Sequence, residues 1–278
     1  MGLFDGCLLV SDIDGTLLTN GEIPQKNLDA IDWFKSEGGV FTIATGRAVI
    51  AGKESYELSH ANAPMIALNG GMIYDFEKQE YVYQSYLDER CKDMLFDILA
   101  HCPEIGADIM YGLDVFPLQY NDAIRYHAEY ERFTLSPLPE DICVIPWNKV
   151  LFAANDMPSF LALQNYCESL QVDFCRFVVT SVSARHKYYE ILPIDSDKGT
   201  GIRKLKEILG AKRSYGIGDF YNDLELIRDA DVGAATAAAP EEIKQLADYV
   251  TCPCIEGAVA DFIDKIALEM KGSSVWTR

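Results

Sequence analysis

Residues 7–23 read CLLVSDIDGTLLTNGEI. An apolar run climbs to Asp12, steps on to Asp14-Gly15, and continues through a second apolar stretch to Asn20-Gly21. Asp-Gly and Asn-Gly between apolar runs are strong signals for tight hairpin turns. The competing reading is a buried strand that delivers a carboxylate pair to a reaction. A calcium loop fails, because Gly15 holds the fourth position instead of the sixth and Ile23 stands where the closing Glu is needed. What the other strands carry at their ends decides between the first two.

Outward from this stretch, strand and helix patterns alternate. "IPQKNLDAIDWFKSEG" predicts an amphipathic helix with Leu28, Ile31 and Phe34 on its apolar face and Gly38 as its stop. "GVFTIATG" is a second continuous apolar strand, a helix starts near Ala48, and "PMIALNG" is a third strand. Such strands, separated by helices, predict a parallel sheet covered on both faces. From Tyr81 to Glu190 the pattern changes. "KQEYVYQSYL" and "RFVVTSVSARHKYYEIL" alternate like half-buried antiparallel strands, with helices over "ERCKDMLFDILAHC" and "MPSFLALQNYCESL". The first pattern then returns, with helices over "DKGTGIRKLKEILGA", "YNDLELIRDA", "PEEIKQLADYV" and "AVADFIDKIALEM" and strands over "RSYGIGD" and "DVGAA". The expected fold is α/β: a Rossmann-like parallel-sheet core with helices on both faces, formed by residues 1–80 and 190–278, and an inserted α+β domain over 81–189.

In open parallel sheets, ligands lie beyond the carboxyl ends of the strands. The polar residues expected there are Asp12 and Asp14, then Thr45-Gly46-Arg47, then Asn69-Gly70-Gly71, then Asp219 with Asp223 one helical turn later. Lys198 opens the helix before the fourth strand. Carboxylates of Asp12, Asp14 and Asp219 converging on one edge would repel one another unless a cation sat among them, and hard oxygen ligands suit Mg²⁺. A lysine in the first turn of a helix opposes the helix dipole, which an adjacent carboxylate or bound phosphate relieves. Thr45 can offer a hydroxyl to a phosphoryl oxygen. Asn69-Gly70 also reads as a plain turn, and Arg47 as a surface residue at a helix start.

The ordered set "DIDGTLLT", "TIATGR", "DKGTGI" and "GDFYNDLELI" resembles the four motifs of the haloacid dehalogenase superfamily. "ALNGGMIYD", "YYEILPIDSDKG" and "APEEIKQLADYVT…EGAVADFI" extend the resemblance to the Cof-type phosphatases, whose large cap lies between the second and third motifs. The resemblance implies a Mg²⁺-dependent phosphatase acting on small phosphorylated metabolites, with sugar phosphates ahead of flavin mononucleotide or pyridoxal phosphate. It implies that Asp12 is the nucleophile, forming an aspartyl-phosphate, and that Asp14 is the acid and base. It places Mg²⁺ on the Asp12 carboxylate, the Asp14 carbonyl and Asp219, with Asp223 in or beside that shell. Thr45 and Lys198 would bind the phosphoryl group, with Gly46, Arg47, Asn69 and Asn222 as further substrate contacts, and residues 81–189 would be the specificity cap. A phosphosugar mutase of the same architecture and a non-catalytic phosphometabolite-binding regulator are the alternatives. Two departures from the family pattern stand out. Asp195 and Asp197 crowd Lys198, either as helix caps or as a drag on phosphate attraction, and Ala238 stands where the family commonly has Asn.

Composition narrows the partners. With 24 Lys and Arg against 43 Asp and Glu the formal charge is −19, and no basic stripe offers a surface to nucleic acid. No run approaches the roughly 18 apolar residues of a membrane span. The start has no basic leader and Gly6 breaks a myristoylation pattern. The eight cysteines are scattered, with Cys252-Pro253-Cys254 too tight for a zinc knuckle, so reduced thiols and a cytoplasmic location are expected. His60, His101, His127 and His186 share no metal-ligand spacing. Arg185-His186-Lys187 reads as a solvated strand end or as positive charge for a substrate, and no motif speaks to the oligomeric state. With every expected strand end polar, the carboxylate reading of Asp12 and Asp14 prevails, and Asn20-Gly21 is left as the tip of a small flap.

Overall fold

The computed structural model describes residues 2–183, 185 and 187–272. It divides into two compact units: one comprising the chain up to Thr45, Lys53–Tyr83 and the chain from Asp197 onward, the other Gly46–Gly52 and Gln84–Ser196.

The first unit starts with β1 (Cys7–Ser11), α1 (Gln25–Ser36) and β2 (Val40–Ile43), followed by α2 (Val49–Leu58), β3 (Met65–Ala67), β4 (Met72–Asp75) and β5 (Glu80–Gln84). The second contributes α3 (Arg90–His101), β6 (Gly106–Tyr111), β7 (Asp114–Gln119), α4 (Asp122–Glu131), β8 (Lys149–Ala153), α5 (Met157–Ser169), β9 (Cys175–Val182) and β10 (Lys187–Pro193). The first unit resumes with α6 (Lys198–Leu209), β11 (Arg213–Gly218), α7 (Leu224–Asp229), β12 (Val232–Ala235), α8 (Glu241–Leu246), β13 (Tyr249–Val250) and α9 (Ala258–Met270).

A five-stranded parallel sheet in the order β13-β12-β11-β1-β2 forms the first unit's centre. β1 lies between β11 and β2, with Val10 in register with both Gly216 and Thr42. Leu8, Leu9 and Val10 are fully buried, which accounts for an unbroken apolar strand: helices cover both faces, so no position is left to water. On one face Leu8 and Val10 pack with Ile66, Ile202, Leu205 and Leu226. On α1, Ile31 and Phe34 are buried as expected, whereas Leu28 is only partly covered and Asn27 is buried in its place. The Asn27 side chain accepts from the Ala260 amide at 3.0 Å and donates to the Leu17 carbonyl, tying α1 to α9. A polar residue at a core position is tolerated because both of its bonding ends are satisfied.

Three expectations need correction. The third strand, β3, is only three residues long and meets the parallel sheet through a single Ala44–Ile66 bridge. It belongs instead to a small sheet in the order β3-β4-β5, antiparallel to β4, because Leu68, Asn69 and Gly70 all take positive φ and reverse the chain. "KQEYVYQSYL" supplies β5 to that same sheet. The helix read over "PEEIKQLADYV" stops at Leu246, and Tyr249–Val250 forms the edge strand β13.

The second unit is an antiparallel sheet in the order β7-β6-β8-β10-β9. "RFVVTSVSARHKYYEIL" forms the antiparallel pair β9 and β10, with Glu190 opposite Val178; His186 lies outside the described residues. One sheet face carries Ile109, Val150, Phe152 and Ile191 into a core with Leu95, Ile98 and Leu163 of α3 and α5. The alternate positions Asp108, Lys149 and Glu190 fall on the opposite face, and all are buried. No helix among the described residues is long and apolar enough to cross a membrane.

Candidate active site

β1 is where the strand order reverses: from it the chain steps outward to β2 on one side and, later, from β11 to β12 and β13 on the other. Open sheets bind ligands at the carboxyl side of such a switch. Asp12 follows β1 directly, its amide donating to the Ile217 carbonyl of β11 at 2.9 Å, and the residue is 8% exposed. Asp219 follows β11. Asp12, Asp219 and Asp223 form one group whose carboxylate oxygens lie within 4.8 Å of one another. The converging set is therefore not the expected Asp12, Asp14 and Asp219. Beyond the strand, Gly15 turns the chain at φ +90° and leaves the Asp14 side chain exposed. A Cβ at Gly15 would fall 2.5 Å from Asp219 Oδ2, so the turn needs both the positive φ and the missing side chain.

Lys198 is fully buried at the start of α6. Its Nζ donates to Asp12 Oδ1 and to Asp223 Oδ1, each at 2.5 Å. The start of α6 is held by Asp197, whose carboxylate accepts the Thr200 amide at 2.6 Å. A side chain at Gly70, φ +89°, would collide with the Asp197 carbonyl. Of the two acidic neighbours of Lys198, Asp197 is thus the helix cap, and Asp195 accepts from the Ser85 hydroxyl within the second unit. The lysine meets the positive end of the α6 dipole and is offset by two carboxylates, which hold its proton above the ordinary range despite burial. Asp12 is pushed the same way by burial and then by Asp223, with Lys198 opposing. Burial, with Asp223, raises the Asp219 carboxyl to about 6 against the Thr16 hydrogen bond.

The carboxylates differ in what already engages them. Asp223 gives Oδ1 to Lys198, and its Oδ2 accepts the backbone amides of Asp219 and Phe220 at 3.0 Å each. Asp219 Oδ1 accepts the Thr16 hydroxyl at 2.6 Å. Among the described residues, no hydrogen bond reaches Asp12 Oδ2 or Asp219 Oδ2. Three carboxylates facing one ammonium leave a surplus of two negative charges. Buried, acidic and built of hard oxygens, the group fits a small divalent cation.

Thr45 is buried just past β2; its amide donates to Ile66 and its carbonyl accepts from Asn69. The Asn222 amide reaches the Asn69 side chain at 3.4 Å. Gly46 and Arg47 fall in the second unit, where the Gly46 carbonyl accepts from Lys149 at 2.9 Å. Ala238 is exposed. Thr16 escaped the sequence reading: a hydroxyl after Asp-Gly looks like turn chemistry, and only the later Asp219 shows what it bonds. The predicted flap appears as a two-residue turn at Asn20-Gly21, with Thr19 and Glu22 exchanging both backbone hydrogen bonds at 3.0 Å.

The fold and the acidic group define a parallel-sheet α/β protein with a buried aspartate–lysine centre at the switch point. A family model described as haloacid dehalogenase-like hydrolase matches residues 9–263. The chain belongs to that family, as the four motifs imply. It is 29% identical to the 5-amino-6-(5-phospho-D-ribitylamino)uracil phosphatase YwtE of Bacillus subtilis, over 94% of this chain and 97% of the relative. The putative phosphatase YxeH of the same organism is 28% identical, over 94% and 98%. Among solved structures, a haloacid dehalogenase-like hydrolase from Bacteroides thetaiotaomicron superposes with a TM-score of 0.78 at 24% identity, covering 95% of this chain and 99% of that one. A subclass IIB sugar phosphatase of the superfamily gives 0.76 at 19% identity, covering 95% and 98%.

Proposed function

We propose that this phosphatase is Mg²⁺-dependent and hydrolyses phosphate monoesters of small polyhydroxylated metabolites, sugar phosphates foremost, through an aspartyl-phosphate on Asp12. The observation that carries the proposal is the buried Asp12 at the end of the central strand, 2.5 Å from Lys198 and grouped with Asp219 and Asp223.

In this reading the Asp12 carboxylate attacks phosphorus, forming an O–P bond as the bond to the leaving alcohol breaks. Asp14, exposed and two residues on, gives its proton to the departing oxygen and later takes one from the water that cleaves the acyl phosphate. Lys198 neutralises the approach of a carboxylate to a phosphate dianion, and Thr45, Asn69 and Asn222, with Gly46 and Arg47, complete substrate binding. Asp12, Asp219 and the Asp14 carbonyl would hold the metal, and Asp223, both of its oxygens engaged, would fix Lys198 and the Asp219 loop. The bound metal would neutralise phosphoryl charge. Phosphoryl transfer asks chiefly for positioning and charge neutralisation.

The substrate class draws on the relatives. YwtE is named for a phosphate ester on a ribityl chain, a polyol, and one structural neighbour is a sugar phosphatase. Residues 81–189 would serve as the cap that selects the leaving group, a role supported by the compact second unit. Eight free cysteines fit a cytoplasmic setting. The test is phosphate release over a panel of phosphorylated sugars, polyols, flavin mononucleotide and pyridoxal phosphate, with Mg²⁺. The proposal expects the highest kcat/KM on a sugar or polyol phosphate; a preference for the aromatic cofactors would overturn the substrate class.

A further inference from the structure

Lys149 opens β8, yet the residue is only 1% exposed. It stands on the sheet face turned away from α3 and α5, two positions before Leu151, which pairs with Glu190 of β10. Its Nζ meets Glu190 Oε1 at 2.5 Å, and both side chains are buried. The same ammonium donates to the Gly46 carbonyl at 2.9 Å. Gly46–Gly52 lies in the second unit with β8 and β10, so the charge pair and the backbone it grips belong to one compact unit. Stability alone does not call for this pair, since apolar residues of similar volume often serve a core as well or better. What an apolar pair cannot do is hold a carbonyl.

Gly46 follows Thr45 directly. Thr45 is fixed by bonds of its own backbone: its amide donates to the Ile66 carbonyl at 2.9 Å, and its carbonyl accepts the Asn69 amide at 3.0 Å. One residue on, the peptide plane joining Gly46 to Arg47 is fixed through Lys149. A trans peptide is planar with its N–H opposed to its C=O, so gripping the Gly46 oxygen also sets the direction of the Arg47 amide. We propose that Lys149 is a positioning residue for the phosphatase reaction, clamping the Gly46 carbonyl while Glu190 holds its ammonium in place. The proposal rests on the reading that Thr45, Gly46 and Arg47 contact the substrate, and Lys149 acts on it through Gly46. Releasing the clamp frees the Gly46–Arg47 peptide and leaves the backbone bonds of Thr45 and the Asp12–Lys198 pair in place. Substrate grip then weakens alike in the ground and transition states, so KM rises about tenfold while kcat stays near the wild-type value.

The experiment compares the full-length wild type, Lys149→Met, and a double variant combining Lys149→Met with Glu190→Leu. Lys149→Met alone strands the Glu190 carboxylate and should lower the thermal midpoint, whereas the double variant removes both charges and should recover it. With Mg²⁺ and the best phosphate ester of the substrate panel, both variants should show KM raised about tenfold with kcat retained. Hydrogen exchange should quicken in the peptide covering residues 46–52. A pair with a merely structural role would let KM return to the wild-type value together with the midpoint. A double variant with the wild-type KM, a fall in kcat at unchanged KM, or unchanged exchange over 46–52 would each overturn the clamp. Wild-type turnover alongside any of these results leaves the functional reading standing, while a wild type that releases no phosphate from any ester overturns that reading and the clamp with it.

Discussion

Lys198 and Asp12 depend on each other. Both are buried, and removing either charge strands the other in a medium that solvates ions poorly. Replacing Lys198 by Met preserves the length of the chain but leaves Asp12 and Asp223 facing each other. The expected cost is about 3–5 kcal/mol of stability, read from urea unfolding, together with loss of turnover; unchanged stability would show that the pair is not formed. Thr16→Val is isosteric and removes only the hydroxyl on Asp219 Oδ1. A hydrogen bond to a charged group contributes about 1.5–3 kcal/mol, so this variant should need more Mg²⁺ for half-maximal activity while its fold stays intact. Titration of activity with Mg²⁺ checks this. At this scale the sequence was legible wherever a polar residue ended an apolar strand, as at Asp12, Thr45 and Asp219. It was silent where meaning lay in a distant partner: Thr16 needs Asp219, and Asp223, expected in or beside the metal shell, bonds Lys198 at the start of a helix 25 residues earlier.

Among the elements, the turn after β1 and the helix α4 make the sharpest demands. Gly15→Ala must adopt φ +90° and meet Asp219 Oδ2 at 2.5 Å. Left-handed backbone alone costs a non-glycine residue about 1–2 kcal/mol, so the variant should lose at least that stability and most of its activity, as unfolding and phosphate release would report. On α4, His127 is 1% exposed, with Nδ1 3.4 Å from Asp108 and Nε2 3.4 Å from Glu131. Burial opposes its charge, yet the two carboxylates hold its proton up to about 9. Because the folded value lies above the unfolded one near 6.5, the stabilisation is complete below about pH 6.5 and is lost as pH rises through 9. Urea unfolding should show stability falling across that window by about 3 kcal/mol. His127→Gln should flatten the fall; an unchanged slope would refute the assignment. The i,i+4 spacing on α4 marks only His127 and Glu131; Asp108 arrives from β6, which no local spacing places beside them. The same limit explains β3 and β13: periodicity identifies apolar segments, but the partner strand decides where each one pairs and ends.

For the whole molecule, the strand order places Asp12 and Asp219 on the two strands that meet at the switch point, and this much followed from apolar strands alternating with helices. A charge of −19 would repel a phosphate ester in bulk, so local cations must act within the screening length of about 8 Å. Lys198 and the proposed Mg²⁺ supply them. A chelator should abolish turnover and Mg²⁺ restore it. The thermal midpoint should rise with Mg²⁺ concentration by mass action in the wild type but not in Asp219→Asn, and equal shifts in both would place the metal elsewhere.

The central claim is that Asp12 carries the phosphoryl group during turnover. The most direct measurement mixes enzyme, Mg²⁺ and a radiolabelled phosphate ester that the enzyme turns over, quenches with acid within one turnover, and maps the label by peptide. The account predicts label on the peptide containing Asp12 and none in Asp12→Asn, which should also release no phosphate. Turnover that persists in Asp12→Asn, or label on another residue, would contradict it.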